Sequence, residues 1–299
     1  MKIFDSPVSM VVEDLSFRYP SSKENALDHV SLRVSGGEVV ALAGPNGCGK
    51  TTLLRAACGI LEPLTGRVWI PGTTGPVHRL PPDRRARLIG VVPQMEKLPP
   101  GFTAAETVML GRISFHGWFG PESVADREAV QSALSAVGLD GLDGQFVETL
   151  SGGGQQRVMI ARALAQEAPI LLMDEPTAHL DVRHQMETLA LLHDLAHEFR
   201  RAVLIVLHDL NLVSRFADRV ALLERGRMIR CGPPVEVFTS ETLSSLYDFP
   251  LQVIPHPERG FPLVLPDGDE PSADAYGVSA SAVEIPPGGE NLHRPRKRG

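Results

Sequence analysis

Cysteine is scarce in this chain of 299 residues. Only Cys48, Cys58 and Cys231 occur, an odd number with no paired C-x-x-C. That excludes a disulfide scaffold and argues against a zinc finger. Long apolar runs are missing too. None approaches the ~18 residues needed to cross a bilayer, and the opening Met1-Lys-Ile-Phe-Asp-Ser-Pro7 lacks the apolar core of a signal peptide. Positive charge is in deficit, since 29 Lys and Arg against 36 Asp and Glu leave a net charge of −7. An acidic surface argues against a nucleic-acid partner, whose phosphates call for a basic footprint. What is present is an ordinary globular balance of 43% hydrophobic and 22% charged residues, enough to bury a sizeable core. The expectation is a reduced, soluble, cytoplasmic protein.

Periodicity then divides the chain. Alternation at Leu15, Phe17 and Tyr19, and again at Val30, Leu32 and Val34, predicts half-buried strands. Residues 38–44, 170–173 and 203–207 are runs apolar enough to predict strands buried on both faces. Residues 71–82 read as a surface loop and 88–92 as a short strand. Residues 123–137 predict a helix, with Ser123 and Asp126 as an imperfect capping box and Gly138 as its C-cap. Val182, Met186, Leu189, Leu192, Leu195 and Phe199 line one face of another. Residues 219–223 and 227–231 flank Arg225-Gly226 and predict a hairpin. The chain thus reads as an α/β core over about 7–95 and 166–232, with a helical subdomain inserted over 96–165 and a C-terminal helical segment at 233–255. From 256 to 299, seven prolines, six glycines and the loss of any period predict a disordered tail.

The strongest local signal is Gly44-Pro45-Asn46-Gly47-Cys48-Gly49-Lys50-Thr51, which fits G-x-x-x-x-G-K-[ST] and lies between a buried strand and a helix. The glycines let backbone N–H groups wrap a phosphate, and the helix N-terminus adds about half a positive charge. Lys50 reaches the β- and γ-phosphates of a nucleoside triphosphate, and the Thr51 hydroxyl, followed by Thr52, is placed for Mg²⁺ and phosphate. Cys48 reads as a small filler inside the loop. A second signal is the apolar strand ending in Asp174-Glu175-Pro176. Asp174 is placed to hold Mg²⁺ and Glu175 to polarise an attacking water. A third is Leu150-Ser151-Gly152-Gly153-Gly154-Gln155 ahead of a strong helix former, a second phosphate-reading helix end in the same chain.

Together these motifs resemble the nucleotide-binding subunits of ATP-binding cassette (ABC) transporters, over about residues 10–250. The resemblance implies a P-loop NTPase (RecA-like) core with an N-terminal antiparallel β region and the inserted helical subdomain. It implies ATP and Mg²⁺ as the bound groups and ATP hydrolysis as the activity. Tyr19 matches the residue that stacks on adenine, Gln94 the glutamine that senses Mg²⁺ and the attacking water, and His208 the switch histidine beside Glu175 and the γ-phosphate. Ala178-His179-Leu180-Asp181 matches the loop that crosses a dimer interface, and Ser151, Gly152 and Gly153 the motif that completes the partner's ATP site in a head-to-tail homodimer. Gly154 departs from the Gln or Glu usual at its position. The implied partners are integral-membrane permease subunits and a solute-binding protein, with the chain peripheral on the cytoplasmic face of the membrane.

Thr107-Val-Met-Leu-Gly-Arg112, His116-Gly-Trp-Phe-Gly120 and the run from Glu175 to Gln185 are more narrowly similar to importers of iron–siderophore, haem or cobalamin. Importers of zinc, manganese or molybdate, export ATPases and soluble ABC ATPases remain alternatives. His193-Asp-Leu-Ala-His197 mimics a zinc-protease pair but lacks the glutamate and a third ligand, and reads as a solvated helix face.

Overall fold

The computed structural model describes residues 8–94, 98, 100–116, 120–178 and 180–267. Of the motif residues above, Gly117, Trp118, Phe119 and His179 lie outside these, as does the predicted tail from 268 on. In chain order the strands are β1 (Ser9–Phe17), β2 (Leu27–Ser35), β3 (Glu38–Ala43), β4 (Thr65–Trp69), β5 (Ile89–Val92), β6 (Ile170–Asp174), β7 (Ala202–Val206), β8 (Arg219–Glu224), β9 (Arg227–Gly232), β10 (Leu251–Pro255) and β11 (Pro262–Pro266).

The central sheet runs β5-β6-β7-β3-β8-β9, parallel except for the β8–β9 hairpin. Its inner strands separate two cores. Val39, Ala41, Leu171, Met173, Val203 and Ile205 face one side with the helices that follow them, whereas Val40, Leu42, Ile170, Leu172, Leu204 and Val206 face the other. Because successive residues of a strand point to opposite faces, only a continuous apolar run satisfies both cores. The second core is closed by the helix Lys50–Ala57, through Leu53, Leu54 and Ala57, and by the antiparallel sheet β2-β1-β4, through Met10, Val12, Leu15, Val30 and Val68.

The inserted subdomain is built on the helices Ala104–Met109, Val124–Ala136 and Gly152–Ala165, which bury Val108, Val130, Leu134 and Val158 together. The Ser123–Asp126 capping box is complete: Ser123 Oγ accepts from the Asp126 N–H at 3.1 Å, and Asp126 Oδ2 accepts from the Ser123 N–H at 3.0 Å. Aspartate reaches back as well as the longer glutamate would. Thr103 and Glu106 form a second such box.

Two expectations need correction. Residues 71–82 are more than a loop: Val77 is buried in a 3₁₀ turn, Val77–Arg79, and a helix, Pro82–Leu88, starts with Pro82 in its first turn and takes Leu88 from the predicted strand. The predicted tail does not begin at 256, nor is 233–255 all helical. After the helix Ser240–Tyr247 the chain forms an antiparallel β10–β11 hairpin. The alternation in Leu251-Gln-Val-Ile-Pro and Pro262-Leu-Val-Leu-Pro is only five residues long on each side and is masked by its terminal prolines.

A buried ion pair fastens the subdomain. Arg112 Nε donates to Asp126 Oδ1 at 2.9 Å, and Nη1 donates to Ala165 O at 2.7 Å and Glu167 Oε2 at 2.8 Å. Burial alone would raise the Asp126 carboxyl, but hydrogen bonds from Ser123 and Arg112 outweigh it and bring it from 3.8 down to about 2. A carboxyl lowered by folding contributes stability that is complete above its unfolded value of about 4 and is lost as pH falls through its folded value. Asp126→Asn is expected to reduce the unfolding free energy by about 2 kcal/mol or more at pH 7. Urea melts at pH 7 and pH 3 check this: the gap between variant and wild type narrows at the lower pH, and a gap of constant size would remove Asp126 from this role.

Candidate functional site

The site lies at the C-terminal ends of β3, β6 and β7, where an open parallel sheet leaves its crevice. β3 delivers the glycine-rich loop there. Gly44 has φ +142°, and a Cβ on it would stand 2.2 Å from Leu223 O, so the loop can cross β8 this closely only without a side chain. Gly49 has φ +109° and faces Ala26 O, which a Cβ would approach to 2.6 Å. The turn between β8 and β9 buttresses the loop from behind, with the Gly226 N–H donating to Cys48 O at 3.0 Å. Cys48 is buried, and burial pushes its thiol up, opposed by the ammonium of Lys50. This fits a filler and not a reactive thiol.

Gly49 caps the helix Lys50–Ala57 with no side chain, so its first N–H groups remain directed at the loop. Lys50 is buried, and Nζ donates to Gly44 O at 2.7 Å and Pro45 O at 3.0 Å. These bonds hold a positive charge inside the loop. The cleft in front has a volume of about 780 Å³, of the size that takes a drug-sized or cofactor-sized ligand. Asn46, Gly47, Gly49, Lys50, Thr51 and Thr52 line it.

Gln94, Glu175, His208, Tyr19 and Ala26 complete its lining. The Tyr19 hydroxyl lies 3.3 Å from Thr52 Oγ1, and its ring meets Phe17 edge-on. Asp174 closes β6 and is buried; burial raises its carboxyl, against a hydrogen bond from Thr51. Its Oδ1 is buried with no hydrogen-bond partner. Glu175 leaves the strand at φ +52°, a left-handed conformation that costs a non-glycine residue about 1 kcal/mol or more. The Glu175 N–H is held by Val206 O at 3.2 Å, and its Oε1 is hydrogen-bonded to His208 Nε2. Thus an acid at the end of β6 meets an imidazole just after β7, its neighbour in the sheet.

Ser151, Gly152, Gly153 and Asp181 do not line this cleft. Ser151 Oγ caps its own helix, accepting the Gly154 N–H at 3.2 Å, and Ser151 and Gly152 are exposed. Gly154 is buried, and a Cβ there would stand 3.1 Å from Leu150 Cβ, so the leucine packs over the position where the departure occurs. Asp181 caps the helix Val182–His197, and its carboxyl is lowered by the His184 N–H at 2.9 Å and by the His184 ring. His193 and His197 stack on each other, and His197 Nε2 bonds Asp218. Sequence reasoning missed Ala26 and Gly226. Neither carries chemistry of its own, so only the fold reveals that they shape the loop.

Comparison with known proteins places this geometry. The ABC transporter family model matches residues 27–178. The hemin import ATP-binding protein HmuV of Nocardia farcinica is 44% identical over 241 residues, which cover 80% of this chain and 82% of that protein. A solved chain from a transporter assigned to the metal-chelate type, in an inward-facing conformation, superposes with a TM-score of 0.76 at 30% identity, covering 88% of this chain and 98% of that one. A dimeric bacterial ABC transporter cassette superposes at 0.67 with 33% identity, covering 75% and 98%. No described helix is long and apolar enough to cross a membrane. The chain therefore belongs to the ABC transporter family as one of its ATP-binding, ATP-hydrolysing subunits.

Proposed function

We propose that two copies of this chain close head to tail on two ATP molecules and so drive import of an iron chelate, haem or cobalamin through integral-membrane permease subunits fed by a solute-binding protein. The observation that carries the dimer is the separation within one chain of the cleft from Ser151 and Asp181. The exposed start of the Gly152–Ala165 helix, at Ser151 and Gly152, would offer N–H groups to a phosphate held by the partner copy. The dimeric cassette among the similar structures supports the same arrangement. The hemin importer and the metal-chelate transporter support the cargo class.

In this reading the glycine-rich loop and Lys50 hold the β- and γ-phosphates, and Tyr19 carries the adenine. Glu175 takes the proton of the attacking water, and His208 holds the Glu175 carboxylate toward that water. Mg²⁺ would neutralise phosphate charge, and Thr51, Asp174 and Gln94 would hold it. The buried, unpaired Oδ1 of Asp174 beside the Thr51 hydroxyl is a hard oxygen set that fits such an ion. Loss of the γ-phosphate removes the charge that joins the two copies, and they separate.

The permease would dock, with the chain peripheral on the cytoplasmic face, in a groove of about 720 Å³ between the core helix Pro82–Leu88 and residues 110–114 of the subdomain. Ile60 stands exposed at its edge. A Cβ on Gly111 would lie 2.3 Å from Arg162 O, so this wall sits directly on the helix that begins after Ser151. A push in the groove is thereby delivered to the helix that completes the opposite ATP site.

Glu175→Gln should bind ATP, lower turnover about 100-fold or more, and run as a dimer with ATP in size-exclusion chromatography with light scattering. A variant of near wild-type turnover would remove Glu175 from the role, and a monomer at saturating ATP would remove the sandwich. Gly44→Ala should weaken binding of a fluorescent ATP analogue about tenfold or more, because the strain of about 1–3 kcal/mol falls on the loop itself. Unchanged affinity would show that the loop's close crossing of β8 is dispensable.

A further inference from the structure

The segment from Ser240 to Pro266 has no part in the chemistry above, yet it reaches the site from two directions. The helix Leu210–Phe216 begins two residues after His208. Asp209 caps it, accepting from the N–H groups of Asn211 at 2.8 Å and Leu212 at 3.2 Å. At seven residues this helix is too short to hold its direction unaided. The C-terminal hairpin supplies what is missing. Asn211 Nδ2 donates to Val264 O at 3.2 Å, and the Val264 N–H donates back to Asn211 Oδ1 at 2.8 Å, so the amide pairs with β11 as a strand would. One turn on, the buried Ser214 Oγ donates to Pro262 O at 2.6 Å.

The hairpin is tied in turn to the helix Ser240–Tyr247. Ser244 Oγ accepts the Leu251 N–H at 2.8 Å and donates to Leu251 O at 3.1 Å, and Ser240 Oγ accepts the Val253 N–H at 2.8 Å. At the far end of that helix, Ser245, Leu246 and Asp248 line a cleft together with Pro45, Asn46, Gly47 and Cys48 of the glycine-rich loop, and the Tyr247 phenol is partly buried beside it. Burial first, and then Cys48, push it up to about 12, against a hydrogen bond from the Gly44 backbone. One continuous piece of chain therefore links the helix behind His208 to the loop that holds the phosphates.

We infer that residues 240–266 form a strap that sets the direction of His208, with Asn211 as a positioning residue for ATP hydrolysis. This rests on His208 acting on Glu175 in turnover. Asn211 is not among the residues that line the cleft; its partners are Asp209 and Val264, so it works only through the helix start that carries the imidazole. Its loss frees His208 without opening the phosphate loop, which keeps its own buttress at Gly226. The effect belongs in turnover and not in binding.

The test uses full-length Asn211→Ala, Ser214→Ala, His208→Ala and the Asn211→Ala/His208→Ala double variant, each assayed for ATP turnover and for affinity toward a fluorescent ATP analogue. Asn211→Ala should lower kcat about tenfold with KM and affinity within about twofold of wild type. Ser214→Ala should show a smaller loss of the same kind. The double variant should be no slower than His208→Ala alone, since a residue that acts through the imidazole has nothing left to act on. Asn211→Asp keeps the acceptor for the Val264 N–H and loses the donor, so it should fall between wild type and alanine, which covers the case of an alanine variant that fails to fold. Wild-type turnover in Asn211→Ala beside an impaired His208→Ala overturns the strap, as do losses that multiply in the double variant. Wild-type turnover in His208→Ala instead overturns the role of His208 itself.

Discussion

The site depends on a parallel sheet buried on both faces. β3, β6 and β7 carry apolar residues at successive positions because two cores claim alternate side chains. That double burial fixes each strand against sliding, since a shift of one residue would exchange its two faces. It therefore fixes where each strand ends. Gly44, Asp174 and the turn into His208 all follow directly from those ends. Functional groups separated by more than a hundred residues in sequence are held side by side by packing that none of them takes part in.

Within that frame the charges are arranged by how well each is satisfied. Lys50 is buried but bonded to two carbonyls of its own loop, which makes a desolvated ammonium tolerable. Asp174 is buried and keeps one oxygen unpaired, with its carboxyl raised accordingly. Such an acid is costly in isolation and gains from a cation more than an exposed one would. Glu175 holds a left-handed backbone so that its carboxylate turns toward His208 instead of continuing along the strand. Strain, burial and an unpaired oxygen converge at the end of one strand, as expected where a fold holds groups for chemistry.

Much of this could be read from the sequence because its signals are local. The glycine-rich loop between strand and helix, the carboxylates at the end of β6 and the histidine after β7 each announce themselves within a few residues. The structure places Lys50, Thr51, Gln94, Glu175 and His208 around one cleft. What stayed hidden is what depends on distant partners. The helix Pro82–Leu88 has no buried residue, so it carries no periodic signal. The β10–β11 hairpin is two short strands bounded by prolines, and its meaning lies in Asn211 and Ser214, dozens of residues upstream. Gly226 reads as half of a turn; that the turn supports the phosphate loop is visible only once Cys48 is beside it.

The division of labour across the surface also has an energetic logic. Had Ser151 and Asp181 lined the same chain's cleft, ATP would bind a complete site in a single copy, and binding would change nothing outside it. In the proposed sandwich, placing them elsewhere would make the closed pair the state with the better ATP contacts, and a ligand shifts an equilibrium only by such a difference. The same logic explains why the groove at residues 110–114 rests on the Gly152–Ala165 helix through Gly111, where even a methyl group would not fit. A contact with no slack passes displacement and does not absorb it. The Arg112 cluster closes the same junction, joining the start of the Val124–Ala136 helix to the end of the Gly152–Ala165 helix. Tied in this way, the subdomain would move as one body in the proposed cycle, carrying a change at its outer wall to Ser151 as a change of position and not of shape.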